Sequence, residues 1–164
     1  MWIDERGSEV LDVPECRRLL ALGVKQHLHG HIGIPAGEEA PTVLPLNYAI
    51  WDLDLVVVVG EGLFHRLANR LVAFQVDGSD TPQGTFGGGD TRLWSVLVRG
   101  LATEERGTQA DRLLPATQVT EPGQRLVRIR TDVMTGRKLG YREAPAHDAP
   151  ADETAPVYPH LVRP

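Results

Sequence analysis

The chain has 164 residues, a mass of 18.0 kDa and a formal net charge of −5, with 41% hydrophobic and 24% charged residues. That is the size of one domain at roughly 150 residues each, and it can bury on the order of two-thirds of its unfolded surface without disulfides or a metal. The composition excludes a disordered or fibrous chain, and the longest apolar run, Leu55 to Val59, falls far short of the ~20 residues of a membrane helix. The first residues, Met1 to Glu5, run acidic with neither a basic nor an apolar region, which argues against a secretory signal. Cys16 is the only cysteine, so no internal disulfide forms, and a reducing cytoplasm is the expected location. The acidic balance argues against a nucleic-acid partner, which normally demands a basic surplus.

Seventeen glycines and twelve prolines punctuate short apolar runs, the pattern of a chain built mainly from strands. The first element is a helix with Pro14 in its first turn, an apolar stripe of Leu11, Leu19, Leu20 and Leu22, and Gly23 as its stop. Val24 to Ile34 reads as a strand, followed by a turn at Pro35–Ala36–Gly37. A second strand covers Thr42 to Ile50. The tight turn Trp51–Asp52–Leu53–Asp54 leads into a third, Leu55 to Val59, apolar on both faces and therefore central. Gly60–Glu61–Gly62 breaks that strand, and Leu63 to Arg70 forms about two turns of helix. Val72 to Asp77 and Leu93 to Thr103 are the fourth and fifth strands, separated by a loop rich in Gly, Thr and Asp, Gly78 to Arg92. Arg125 to Val133 alternates Val127 and Ile129 against Arg128 and Arg130, a half-exposed sixth strand.

Residues 143–164 carry five prolines and almost no periodicity, which separates a Pro-rich C-terminal tail from a domain spanning residues 1–142. Val157, Tyr158 and Leu161 are its candidate anchors. The expected architecture is mainly β: a small six-stranded antiparallel barrel with an N-terminal helix and a short connecting helix.

Five stretches carry a resemblance. They are Pro14–Glu15–Cys16–Arg17–Arg18–Leu19–Leu20, Val43–Leu44–Pro45–Leu46–Asn47–Tyr48–Ala49, Val72–Ala73–Phe74–Gln75–Val76–Asp77, Trp94–Ser95–Val96–Leu97–Val98–Arg99–Gly100, and Val127–Arg128–Ile129 followed by Thr135–Gly136–Arg137. In this order, across residues 12 to 139, they resemble the pyridoxamine 5′-phosphate oxidase-related family, the FMN-binding split barrels. The resemblance implies a split β-barrel, a homodimer with two flavin sites at its interface, and redox chemistry with FMN or a deazaflavin. It places the isoalloxazine along Pro45, Leu46, Asn47 and Tyr48, and borders the site with Trp94 and Ser95.

The phosphate site departs from the family. A phosphate of about −1.5 to −2 charge requires Arg, Lys, hydroxyl or amide donors. The relatives end the third strand in an Arg-Thr pair and follow it with Gly-Thr-Lys. Here Val58 and Val59 fill the Arg and Thr positions, and the Lys position falls on Phe64, or on Arg66 if a gap is allowed. His65, Arg66 and Arg70 are the cations left to meet a phosphate, or else they face water on a short helix. A Gly-Arg pair common in the relatives becomes Gly30–His31.

Other residues carry two readings each. His27, His29 and His31 alternate along the expected first strand, so one face would hold three imidazoles able to bind a metal or haem. The alternative is a polar rim of the barrel, and no acidic residue stands among them. Gly87–Gly88–Gly89 lacks the Lys-Ser/Thr pair and helix of a phosphate loop. Cys16 reads as a buried, inert thiol, and Asp52 and Asp54 as a hairpin tip. Asn47 and Tyr48 either bond a flavin edge or end a strand and fill the barrel.

Two functions follow. One is a flavin- or deazaflavin-dependent oxidoreductase acting on a small molecule at a dimer interface. The other is a split barrel that has lost its flavin and binds or transforms a small molecule without a cofactor; haem or metal binding through the histidines is a further alternative. Neither involves a nucleic acid or a membrane.

Overall fold

The computed structural model describes residues 2–3, 9–37, 39–79, 92–106 and 123–140. Among them two short strands come first, β1 (Trp2–Ile3) and β2 (Glu9–Leu11), followed by helix α1 (Val13–Lys25). The Asp12 carboxylate caps α1 by accepting from the Glu15 amide at 2.9 Å, and Pro14 sits in the first turn, where its missing N–H costs nothing. Cys16, Leu19, Leu20 and Gly23 form its buried stripe.

Gly23 does not end this helix. A Cβ there would lie 2.3 Å from the Tyr48 hydroxyl oxygen, so the glycine serves close packing inside the helix. The stop comes four residues later. His27 adopts φ 54°, its N–H donates to Val24 O, and the Leu28 N–H donates to Gly23 O. This is a Schellman-type ending with histidine in the left-handed position.

The next strand therefore begins at Gly30, not Val24: β3 is Gly30–Ala36. It forms a hairpin with β4 (Glu39–Leu46). The expected strand over residues 42–50 breaks at Asn47–Tyr48, and β5 (Ala49–Trp51) pairs with β6 (Asp54–Val59) instead. Asp52 and Leu53, both at positive φ, make the tight turn between them. Helix α2 (Glu61–Leu67) leads into β7 (Arg70–Ser79) and β8 (Arg92–Glu105). The expected sixth strand ends at Ile129 as β9 (Arg125–Ile129), and a separate strand, β10 (Val133–Gly140), follows.

The strands run in the order β1-β2-β10-β8-β7-β3-β4, with β5, β6 and β9 attached through β9 on β8, all pairs antiparallel. The split lies within β8, which pairs with β10 as far as Arg99 and with β9 from Ala102 onwards. At the changeover the Arg130 N–H donates to Leu101 O, and a Cβ on Gly100 would meet the Arg130 carbonyl oxygen at 1.7 Å. Only glycine permits that approach.

The result is a mainly β, antiparallel split barrel with two helices among the described residues, and the expected class holds. Ten strands stand among the described residues where six were expected, because two expected strands each divide and two short ones precede α1. The barrel is filled by Trp94, Phe74, Leu19, Leu20, Ile32 and Ile129, among others. As expected, β6 is covered on both sides. Leu55, Val57 and Val59 face the main core, and Val56 packs with Ala49 and Leu126 on the other face. Among the described residues no helix is long and apolar enough to cross a membrane. The Gly87–Gly89 run and the tail with Val157, Tyr158 and Leu161 lie outside the described residues.

Candidate functional site

The end of the barrel closed by α2 gathers the positions at which a phosphate was expected. Val59 is 3% exposed and Phe64 9%, both in the core, while Val58 packs half-buried against the smaller cluster. None of the three offers a donor. Donors stand at other positions, on α2, β4 and β9. Exposed on α2, Arg66 donates through Nη2 to the Thr42 hydroxyl oxygen of β4 at 2.7 Å. Arg125 opens β9 as the register partner of Val59, and its guanidinium lies over the Phe64 ring at 5.0 Å.

Arg125 is held by carboxylates. Its Nε and Nη2 donate to the two oxygens of Glu61 at 3.0 and 3.2 Å, and its Nη1 donates to Glu104 at 2.6 Å. Glu104 also pairs with Arg106. Hydrogen bonds from Arg106 and Arg125 hold the Glu104 carboxyl below the usual carboxylate range, and bonding to Glu104 and Glu61 raises Arg125. His65 Nε2 is 3.1 Å from Glu61, one turn earlier on α2. Arg70, at the start of β7, is exposed.

Along β4, Pro45 is exposed and Leu46 packs against the core. Asn47 and Tyr48 belong to no strand, so their backbone stands outside the ladders. The Tyr48 ring is 4% exposed, meets Phe74 edge-on at 5.6 Å, and donates its hydroxyl to Leu20 O at 2.8 Å. Burial pushes its phenol pKa up. Its side chain fills the barrel. Trp94 is likewise core at 1% exposure, and its Nε1 finds no acceptor among the described residues. Ser95 points to the opposite, outer face, opposite Asp77 and Arg137 of the neighbouring strands.

The three histidines do not share a strand face. His27 terminates α1, His29 precedes β3, and only His31 lies on a strand. The helix runs past Gly23 and consumes the first part of the expected strand, which removes the alternation on which that grouping depended. Among the described residues no group of three or more His, Cys, Asp or Glu side chains is placed to hold a metal. Cys16 is fully buried, and burial raises its thiol. Asp54 is not a solvated tip: it accepts from Arg128 Nε at 2.8 Å and from the Thr131 amide at 3.0 Å, pinning β6 to the end of β9.

Thr42 and Arg125 escaped the sequence reading. Thr42 stands one residue before a matching stretch. Arg125 shares its strand face with Val127, and that parity is the signal that could have aimed it at the barrel end.

A groove of about 660 Å³ runs over the outer face of β4, β3, β7 and β8. Its lining includes Gly33, Pro35, Val43, Leu71, Ala73 and Val133, with Arg99 and Asp132 also contributing. Val43, Leu71 and Val133 are large apolar side chains left exposed there.

The antiparallel split barrel with its N-terminal helix is the fold of FAD-binding split-barrel proteins. Residues 12–138 match the family described as Pyridoxamine 5′-phosphate oxidase, and the chain belongs to it. Among solved structures, an FAD-binding protein from Mesorhizobium loti is similar at 26% identity and a TM-score of 0.61, over 80% of this chain and 98% of that one. The FAD binding protein from Mycobacterium smegmatis is 22% identical with a TM-score of 0.60, over 80% of this chain and 99% of that one. A flavocytochrome from Azotobacter vinelandii shares the fold at 11% identity and a TM-score of 0.54, over 94% of this chain and 88% of that one. No curated protein matches the chain.

Proposed function

We propose that this protein is a flavin-dependent oxidoreductase that binds a flavin nucleotide at the α2 end of the barrel, between two copies of the chain. The observation that carries the reading is the pair formed by Arg66 and Thr42. The relatives' adjacent Arg and Thr are lost from the sequence, yet a guanidinium and a hydroxyl meet in space. The Thr42 oxygen accepts from Arg66, so its own proton remains to donate to a phosphate oxygen, alongside the other guanidinium N–H groups. These residues fit a phosphate.

When bound, the flavin supplies the hydride chemistry, and the protein supplies binding and orientation. Arg66 and Thr42 hold the phosphate. The exposed Pro45 and the backbone of Asn47 and Tyr48 flank the ring, the Tyr48 phenol being committed to Leu20. Ser95, on the outer face, borders the site from β8. The exposed Val43, Leu71 and Val133 support burial of the outer face against a second copy, which would exclude water from the ring. FMN, FAD and a deazaflavin all carry the phosphate this site accepts; the named FAD-binding structures favour a flavin.

The test is the visible absorption spectrum of purified protein after adding FMN, FAD or deazaflavin and desalting. A retained flavin band is expected, and Arg66→Ala should weaken binding about 10- to 100-fold, the worth of a charge-assisted hydrogen bond. A folded protein that retains none of the three overturns the proposal. It would favour the second reading, a small-molecule site without cofactor, which the neutralisation of Arg125 by Glu61 and Glu104 supports.

A further inference from the structure

We propose that the outer-face groove binds a soluble, largely apolar carboxylate, whose charge Arg99 meets and whose body lies over Gly33 and Ala73. The site is built from this chain's own residues, and only a redox role for its ligand rests on the flavin reading. Register sets one row across five strands: Val43, Gly33, Ala73, Arg99 and Val133 are successive partners on β4, β3, β7, β8 and β10. Alternation along each strand puts all five on the outer face, with Leu71 next to Ala73 on the same side of β7. The row is low in the middle. Val43 at 59% exposure, Leu71 at 70% and Val133 at 44% stand as walls, and Gly33 and Ala73 leave the floor between them. A Cβ on Gly33 would meet only Ala73, 3.7 Å from its Cβ and 3.8 Å from its carbonyl oxygen. Packing does not demand that glycine; its effect is to keep the floor open. The groove's volume of about 660 Å³ is that of a small-molecule site.

Charge selects the occupant. Two charged side chains line the groove, and Asp132 already accepts from Arg130 at 2.8 Å. Among the described residues no carboxylate pairs with Arg99. A neutral apolar body laid in the groove would strip water from that guanidinium and return nothing, whereas a carboxylate restores two parallel hydrogen bonds. A second copy seated on the walls would roof the floor and leave it room for a ligand. Val43 is followed on the same face of β4 by Pro45, so such an acid would lie beside the proposed flank of the flavin ring.

The full chain and its Arg99→Gln and Gly33→Val variants would be titrated calorimetrically with 2-naphthoate and with the neutral 2-naphthamide, in the absence of flavin. Both probes should bind the unaltered chain, the acid more tightly. Arg99→Gln should weaken the acid about 10-fold and the amide less than about 2-fold. Gly33→Val fills the floor without a backbone clash, so it should weaken both probes about 10-fold with the melting temperature preserved. Failure of the unaltered chain to bind either probe, an equal loss of acid and amide in Arg99→Gln, or undiminished binding by Gly33→Val overturns the inference. If neither probe binds and Leu71→Asp turns a dimer into monomers in gel filtration, the groove belongs to the second copy alone, which also overturns it. Acid-selective binding that depends on Arg99, in a chain that takes up no flavin, sustains the site and removes the oxidoreductase reading instead.

Discussion

The hydroxyl of Tyr48 donates to the carbonyl oxygen of Leu20 at 2.8 Å, and the space it occupies is the space a side chain on Gly23 would need. This contact fixes α1 against the break between β4 and β5. Tyr48→Phe should cost about 1–2 kcal/mol in urea denaturation by leaving a buried carbonyl with one partner fewer. Gly23→Ala should also destabilise, by about 1–3 kcal/mol, although alanine is the better helix former by about 1 kcal/mol, because overpacking wins at a crowded site. Gly23→Ala should cost less in the Tyr48→Phe background, where the clashing oxygen is absent, and a double-mutant cycle reads that coupling.

Gly100 sits where β8 changes partners, with the Arg130 carbonyl 1.7 Å from where a Cβ would be. The obstacle is backbone and cannot rotate away. Gly100→Ala should therefore cost more than about 3 kcal/mol or prevent folding, against about 0.5 kcal/mol for an exposed surface change. Thermal melting of Gly100→Ala beside the unchanged protein checks it.

Glu15 ties α1 to β10, accepting from Arg18 at 2.7 and 2.8 Å and from Lys138 at 2.9 Å. The Arg18 hydrogen bonds, with that from Lys138, lower its pKa from 4.5 to about 2. A carboxyl depressed in the folded state contributes stability in full above its unfolded value. That contribution fades as pH falls from 4.5 towards about 2. Glu15→Gln should remove under about 1 kcal/mol at neutral pH, solvent screening a half-exposed pair, and should flatten the acid limb of stability across that window.

Thr42 contributes a neutral hydroxyl to the proposed phosphate seat, and Arg66 a charge. Thr42→Val should weaken FMN about 3- to 10-fold, less than Arg66→Ala, with riboflavin little affected. Quenching of flavin fluorescence during titration measures both.

Features that depend on neighbours along the chain are legible from the residues alone. Alternating Val127 and Ile129 against charged residues announces a strand with one buried face, and the unbroken Leu55–Val59 run announces a strand covered on both. The stripe of Leu19 and Leu20 behind Pro14 announces α1. Those signals repeat within a few residues, so local periodicity suffices for the fold class and the order of elements. It misled at Gly23, which reads locally as a helix stop, because the reason for that glycine is a tyrosine 25 positions away. The site was less legible still. Arg66 was visible as a surviving cation, but Thr42 meets it from 24 residues away, and Arg125 reaches Glu61 across 64. Only tertiary structure decides such pairs, because they are set by strand register and by the turn of α2 over the barrel end, which no local pattern encodes.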